Sequence, residues 1–443
     1  MKEKVNIYWM RRDLRFEGNA ALYNALMDEL QVIPIFIFDK NILDELKKPY
    51  DKRVQFIYQT INQLNEYLHN NYHSGILTFY DQPKNVFEKL LKKYDIQKVF
   101  VNRDYEPYAI QRDTEIKTFL KDKGVEYFSF KDHIVFEPWE IKNKYGKVFH
   151  IYTHFANAWK KLFNEESLII YESEKYLNKL YKFNEIVNIV SYEALGFKWE
   201  QNVEYRALNL SSEVLSNYHL TRDRIDNENG TTNAGLYLRF GTISTRYLVK
   251  LGLQYNQQYL NELIWREFFQ HLIYHYPFTK DENFRENYKH FKWENDEHLF
   301  EKWKNGETGF PIIDAAMREL NTTGYMHNRC RMIVANFLTK ILLIDWRWGE
   351  RYFAEKLMDY EMASNVGNWQ WSAGTGVDAA PYFRIFNPYL QQEKFDPSYK
   401  YVKKWIPDFD VNNYIQPIVN YEERRKMSLE RYKSLIKIKG SNH

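Results

Sequence analysis

The run VIPIFIF at residues 32–38, followed by VQFIYQTINQLNEYL at 54–68 and ILTF at 76–79, decides how the N-terminal part of the chain folds. The outer two are short apolar runs, the length and composition of buried strands. The middle one places Val54, Ile57, Ile61, Leu64 and Leu68 at spacings of three and four, which makes one apolar stripe on a helix. Reading outward, further strands are predicted at Val5–Trp9, Val99–Asn102 and Val125–Phe130, with amphipathic stretches between them. Strand–helix alternation of this kind predicts a doubly wound, open parallel sheet, an α/β domain over residues 1–130. No G-x-G-x-x-G follows the first strand, which argues against an ordinary dinucleotide site there.

From 131 to 196 the pattern loosens into lysine, asparagine and glutamate with scattered aromatics, read as a connector with unplaced helices. Over 197–443 the strand signals disappear. Helical periodicity dominates Ser244–His275, Pro311–Leu320 and Arg329–Leu343, punctuated by Gly306, Gly309, Gly324, Gly367 and Pro381, so a larger all-α domain is expected. No internal repeat or low-complexity tail is seen.

At 443 residues, two domains are the default expectation. Aromatics make up 18%, more than packing requires, and such rings also stack on flavins and nucleobases. A net charge of +3 neither demands nor forbids nucleic acid, since clustering decides. Cys330 is the single cysteine, so an internal disulfide, a structural zinc site and an iron–sulfur cluster are all excluded, and a reducing, cytoplasmic home is expected. The opening MKEKVNIYWMRRDLRF has no signal-peptide core, and no run approaches a membrane span; a soluble protein is expected.

Three segments of the helical part carry side chains that a core does not need. In YLNELIWREFFQHL (259–272), Glu262, Trp265 and Arg266 share one helix face. In GYMHNRCRMIVANFL (324–338), Asn328, Arg331 and Met332 share another, with Arg329 pointing elsewhere. Either could be an ordinary solvated face. DYEMASNVGNWQWSAGTGVDAAPYFRIFNP (359–388) is different: Asp359, Asn365, Trp369, Trp371, Asp378 and Arg384 are strung among small residues that let a backbone approach a flat ligand.

These segments resemble the flavin- and DNA-binding signature of the photolyase/cryptochrome family, closest to its class I cyclobutane-dimer branch. YWMRRDLRF (8–16), EKWKNGETGFPIIDAAMREL (301–320), IDWRWGERYF (344–353) and KFDPSYKYVKKWIP (394–407) resemble family sequences too, and the likeness runs in order from Asn6 to about Tyr421. The resemblance implies FAD in the helical domain. The family's phosphate-binding T-S-x-L-S appears here as Thr231-Thr232-Asn233-Ala234-Gly235, followed by Tyr237 and a G-x-x-S at Gly241–Ser244; with two usual side chains replaced, backbone amides must contribute more. Further flavin contacts implied are Tyr218, Tyr259 (more often tryptophan in the family), Arg266, the pair Arg331 and Asp359, Tyr360, Glu361 (where many relatives carry Asp) and Asn365, which resembles the asparagine facing flavin N5. Trp293, Trp346 and Trp369 match the family's electron-transfer chain.

Around the flipped-out lesion the family places a glutamate, an asparagine, a methionine and two tryptophans, matched by Glu262, Asn328, Met332, Trp265 and Trp371. The six-four branch carries histidines where this chain has Asn328 and Met332. Arg266, Arg329 and Arg384 are the implied phosphate contacts. The implied activity is that of a deoxyribodipyrimidine photolyase, a carbon–carbon lyase: excited FADH⁻ lends an electron to a cyclobutane pyrimidine dimer and recovers it after the ring opens. DNA containing such dimers is the implied partner, and a monomer is expected. An antenna of folate, deazaflavin or FMN type remains open, with Glu106 in VNRDYEPY resembling a folate contact. One rival is a cryptochrome-type receptor that signals through a protein partner. Against it stand the intact lesion set, Asn365 and the short basic ending EERRKMSLERYKSLIKIKGSNH (422–443). A second rival is a DASH-type enzyme preferring single strands, which diverges around the Trp-x-Trp kept here as Trp369-Gln370-Trp371.

Overall fold

The computed structural model describes residues 2–47 and 49–437, so the last six residues of the basic ending lie outside the described part. The chain divides into two compact units, neither contiguous in sequence: Met1–Lys142 with Ala158–Leu208 and Ala234–Glu267, and Asn143–Asn157 with Asn209–Asn233 and Phe268–His443.

The first unit is built on five parallel strands, β1 (Lys4–Met10), β2 (Val32–Asp39), β3 (Leu77–Asp81), β4 (Asp95–Asn102) and β5 (Glu126–Phe130), in the order β3-β2-β1-β4-β5. Every residue of β2 is buried, as expected of a strand covered on both faces. Helix α1 (Lys52–Tyr72) begins at Asp51, whose carboxylate accepts from the backbone N–H of Arg53 at 2.9 Å. Val54, Ile61 and Leu68 of its predicted stripe are buried, while Ile57 and Leu64 are half-buried and Phe56 and Asn65 take up the rest of the inner face.

The strand order reverses between β1 and β4, where α/β folds bind ligands beyond the strand ends. Here charged side chains occupy that place: Arg11 pairs with Asp113, and Arg12 pairs with Asp104 at 3.1 Å and Glu106 at 3.4 Å. Arg239 also reaches Glu106, at 3.5 Å.

The domain limits expected at 130 and 196 do not coincide with the observed division. Residues Ala158–Leu208 are tied to the sheet: Tyr181 N–H donates to Val32 O at 2.9 Å and Asn65 Nδ2 to Val187 O at 2.8 Å. Helix α2 (Thr245–Tyr255) and the first half of α3 (Gln257–His275) also belong to this unit. Buried Asp132 accepts from Arg15 at 2.7 Å and Arg246 at 3.1 Å. Glu267 accepts from the N–H groups of Val135 and Phe136 and from Trp159 Nε1. Such charge-assisted bonds fasten this stretch more firmly than its sequence position suggests.

In the second unit, α4 (Pro311–Thr323), α5 (Asn328–Asn336), α6 (Trp346–Lys356), α7 (Met362–Ala373), α8 (Pro388–Phe395) and α9 (Tyr421–Lys437) enclose a core that includes Trp303, Phe310, Trp346, Phe353 and Trp369. A π-helical turn, Phe337–Ile341, follows α5 directly. Gly349 of α6 permits one close packing: a Cβ there would lie 2.1 Å from the Trp369 ring, which backs onto that helix.

Candidate active site

Helices α5 and α7 and the segment between α6 and α7 line a cavity in the second unit. Nine of the residues singled out in the sequence line it: Asn328, Arg331, Met332, Asp359, Tyr360, Glu361, Asn365, Trp369 and Trp371.

The start of α5 sets the first three. His327 caps the helix, its Nδ1 accepting from Arg329 N–H at 3.1 Å, and burial pulls its imidazolium down to about 4, which keeps that lone pair available. Asn328 and Met332, one turn apart, then share a face, with the amide nitrogen 4.0 Å from the sulfur. Arg331 is fixed twice over. Its Nε donates to Met326 O at 2.8 Å, and Nη2 donates to both carboxylate oxygens of Asp359 at 3.1 and 2.9 Å.

Asn365 is held by a group that the sequence reading missed. Its Nδ2 donates to Glu350 O at 3.2 Å and Glu350 Oε1 at 3.0 Å, and Tyr360 donates to the same Oε1 at 3.3 Å. Burial pushes the Glu350 carboxyl up, against the pull of these two donors. With Nδ2 committed, Asn365 has Oδ1 left, an acceptor suited to an N–H. Glu350 lies in IDWRWGERYF, and that resemblance was the signal that could have found it. Ser364, also on the wall, donates to Glu361 Oε2 at 3.1 Å.

Trp369 packs edge-on to Phe353, with centroids 5.0 Å apart. Trp346 is fully buried in the same core and donates Nε1 to Asn283 Oδ1 at 2.7 Å. Trp293 packs half-buried at the margin of that core, 4.4 Å from Phe291. Between the two indoles of Trp-x-Trp, Gln370 turns inward and donates to Thr279 O and Glu282 O at 2.7 and 2.9 Å, locking the helix that presents them.

The remaining residues lie elsewhere. Tyr218 and Thr231–Asn233 belong to the second unit, Asn233 with φ 54°, whereas Ala234, Gly235 and Tyr259 belong to the first. Glu262, Trp265 and Arg266 sit half-buried on the part of α3 in the first unit; Gln258 donates to Glu262 at 2.8 Å and Arg266 to His133 O at 2.7 Å. Arg329 pairs with Asp223 at 2.8 Å and covers the Phe395 ring, and Arg384 is exposed. Glu106 is buried within its arginine pairs. Among the described residues no cluster of metal-ligating side chains occurs, and no helix is long and apolar enough to cross a membrane.

The cavity thus combines apolar walls from Ala335, Phe353 and Leu357 with an arginine–carboxylate pair and an amide acceptor. That donor and acceptor set fits a flat, polar-edged ring such as an isoalloxazine. A parallel α/β unit together with a helical unit of this kind is the architecture shared by photolyases and cryptochromes.

Comparison with known proteins agrees. Residues 6–170 match the DNA photolyase family and residues 259–412 match the FAD binding domain of DNA photolyase. The deoxyribodipyrimidine photo-lyase of Vibrio cholerae is 35% identical over 97% of this chain and 99% of its own. Among solved structures, a bacterial class III photolyase from Agrobacterium tumefaciens superposes with a TM-score of 0.85 at 28% identity, covering 99% of this chain and 98% of that one. An archaeal photolyase from Sulfolobus tokodaii with two FAD molecules gives 0.80 at 33%, covering 97% and 99%. A cryptochrome from Synechocystis shares the fold, at a TM-score of 0.84 and 23% identity over 97% and 99%. The chain belongs to the DNA photolyase family and carries that family's FAD-binding domain.

Proposed function

We propose that this protein repairs cyclobutane pyrimidine dimers in DNA with blue light. The observation that carries this reading is the composition of one wall. Asn328, Met332 and Trp371, the amide, thioether and indole assigned to the lesion, line the same cavity as Arg331, Asp359 and Asn365, assigned to the flavin. Reduced FAD, when bound and excited, supplies one electron to the dimer and takes it back once the ring has opened. The chain's own residues do the rest. The Arg331–Asp359 pair provides a fixed positive group beside the ring. Asn365 Oδ1 accepts an N–H at the ring edge. Trp369, Trp346 and Trp293 relay electrons inward to keep the flavin reduced. Trp371 offers a π face to the dimer, whose damaged pairing lowers the cost of extrusion, and Trp265 is the second indole that the family resemblance assigns to the lesion. Glu262 hydrogen-bonds a base edge and, when protonated, steadies the dimer radical anion. The reading carries with it a cytoplasmic monomer acting on DNA.

The test uses chemically reduced, FAD-loaded protein and an oligonucleotide with one thymine dimer under blue light. Dimer loss in light but not in darkness, abolished in Glu262→Ala with Trp265→Ala, is the expected result. A photoreducible flavin with a surviving dimer would instead mark a cryptochrome-type receptor.

A further inference from the structure

The helical unit buries a cation at the inner end of a row of aromatic rings. Lys340 lies in the π-helical turn Phe337–Ile341 and is fully buried. Its Nζ stands 3.6 Å from the centroid of the Tyr432 ring and has no hydrogen-bond partner among the described residues. A Cβ on Gly374 would lie 3.1 Å from this nitrogen, so the glycine that ends α7 leaves the amine its space.

From Tyr432 the ring contacts lead to Trp293. Tyr432 meets Phe291 with centroids 4.5 Å apart, and Phe291 meets Trp293 at 4.4 Å. Tyr288 and Leu343 complete this cluster, with Trp293 half-buried at its margin. The Tyr432 hydroxyl donates to Ala373 O at 2.8 Å, a carbonyl that takes no proton from it.

The other polar groups around the turn are engaged. Arg424 donates to Ile341 O and Leu342 O at 2.8 and 2.9 Å, and Arg424 and Arg431 both pair with Glu294 at 2.8 Å. Asp345 pairs with Arg347 at 2.8 Å, and Arg285 donates to Gly374 O at 3.4 Å. Guanidinium groups keep their charge throughout the range in which proteins are stable. Burial pushes the Tyr288 and Tyr432 phenols up, so they stay neutral. Lys340 differs: burial, then the Arg285 charge, pulls its ammonium down to about 7, so it gains or loses its charge near neutrality.

We propose that Lys340 sets, through its charge, how long Trp293 stays oxidised, so that light-driven reduction of the flavin is hindered while this amine is protonated. The inference rests on the electron relay proposed above. In that relay Trp293 loses one electron, which moves inward through Trp346 and Trp369 to the photoexcited flavin, and an external reductant such as a thiol refills the indole. Lys340 supplies neither electron nor proton. A positive charge on its Nζ repels the positive charge left on Trp293, and among buried rings that repulsion is weakly screened. The electron then returns to Trp293 before the reductant acts.

The experiment flashes FAD-loaded protein without reductant and follows the lifetime of the tryptophan radical by transient absorption. In the wild type it should lengthen about threefold from about pH 6 to about pH 8. In Lys340→Met it should be long at every pH, and Tyr432→Phe, which keeps the ring, should keep the wild-type profile. Carbon-13 NMR of protein with lysine labelled at Cε reads the charge itself: one resonance should titrate near 7 and be missing from Lys340→Met. A wild-type lifetime indifferent to pH, an unchanged profile in Lys340→Met, or no lysine titrating near neutrality overturns the proposal. So does loss of the profile in Tyr432→Phe, which would make the phenol its source. The wild-type lifetime and the NMR titration decide the matter even if Lys340→Met fails to fold. A radical signal untouched by Trp293→Phe would overturn the relay and this proposal with it, which tells that failure apart from a failure of Lys340 alone.

Discussion

Asn365 shows how one hydrogen bond decides what a side chain offers. An amide free to rotate could meet a flavin edge in either protonation state, but Glu350 takes Nδ2 and leaves the acceptor. Asn365→Ala should therefore fail to hold the flavin reduced under steady illumination with a reductant, read from its visible absorption; normal photoreduction would refute the assignment. Glu267 makes the complementary case. Its Oε2 accepts from Val135 N–H at 2.8 Å, and Oε1 from Phe136 N–H at 3.0 Å and Trp159 Nε1 at 2.8 Å. Glu267→Gln turns an NH₂ toward at least one of these donors, and leaving buried partners unpaired costs about 1–3 kcal/mol. A thermal melt should show the loss as a lower Tm, and an unchanged Tm would show that the three donors find other acceptors. The sequence made Asn365 legible through its neighbours in a long resemblance. Glu350 and Glu267 were not legible as partners, because their bonds join residues up to 132 positions apart and no local spacing encodes them.

At the level of elements, the strands were legible because a strand buried on both faces is simply a short apolar run. Helices were less so. The predicted Ser244–His275 is two helices, parted at Asn256, whose extended φ of −159° ends one and whose side chain accepts from the Gln258 N–H at the start of the next. The predicted Arg329–Leu343 ends in the π-helical turn, which inserts a residue without altering apolar spacing enough to be noticed. That turn buries Lys340, with Nζ 3.6 Å from the Tyr432 ring centroid and no hydrogen-bond partner among the described residues. Burial, helped by the nearby Arg285 charge, pulls this ammonium from 10.5 down to about 7. A cation–π contact is worth about 2 kcal/mol when desolvated, less than the penalty of burying an ammonium. The unfolded chain keeps the proton up to 10.5, so between about 7 and 10.5 it binds more protons than the folded chain. Stability from this group therefore rises with pH across that window, and below it the full penalty applies. Lys340→Met should raise stability at pH 7 by a few kcal/mol, on the order of the shift, and flatten its rise toward pH 10 in denaturant titrations. A lower stability at pH 7 would mean that the contact with the Tyr432 ring outweighs desolvation.

For the whole molecule, 62 basic and 59 acidic side chains nearly cancel, so affinity for DNA has to come from where a few cations are free rather than from net charge. The sequence set Arg266, Arg329 and Arg384 side by side as phosphate contacts, because residue type and family position are alike for all three. The fold gives each different surroundings. Arg329 is spent on Asp223 at 2.8 Å and on the face of Phe395 at 4.7 Å, and Arg266 gives a donor to His133 O. Arg384 is exposed on the segment that follows α7, the helix presenting Trp371. Each phosphate neutralised releases condensed counterions and steepens the fall of affinity with salt by about one unit of log–log slope. Arg384→Ala should therefore weaken binding to a dimer-containing duplex and reduce that slope by about one, measured by fluorescence anisotropy from about 50 to 200 mM KCl. Arg329→Ala should leave the slope nearly unchanged and lower the melting temperature instead, since it strips a partner from Asp223 and a cover from Phe395. If Arg329→Ala flattened the slope as much as Arg384→Ala, its ion pair would have to open on DNA, and binding would then include a rearrangement at the start of α5. That rearrangement would itself be readable, because His327 and Asn328 share the same helical turn and Asn328 lines the cavity where the lesion is proposed to sit.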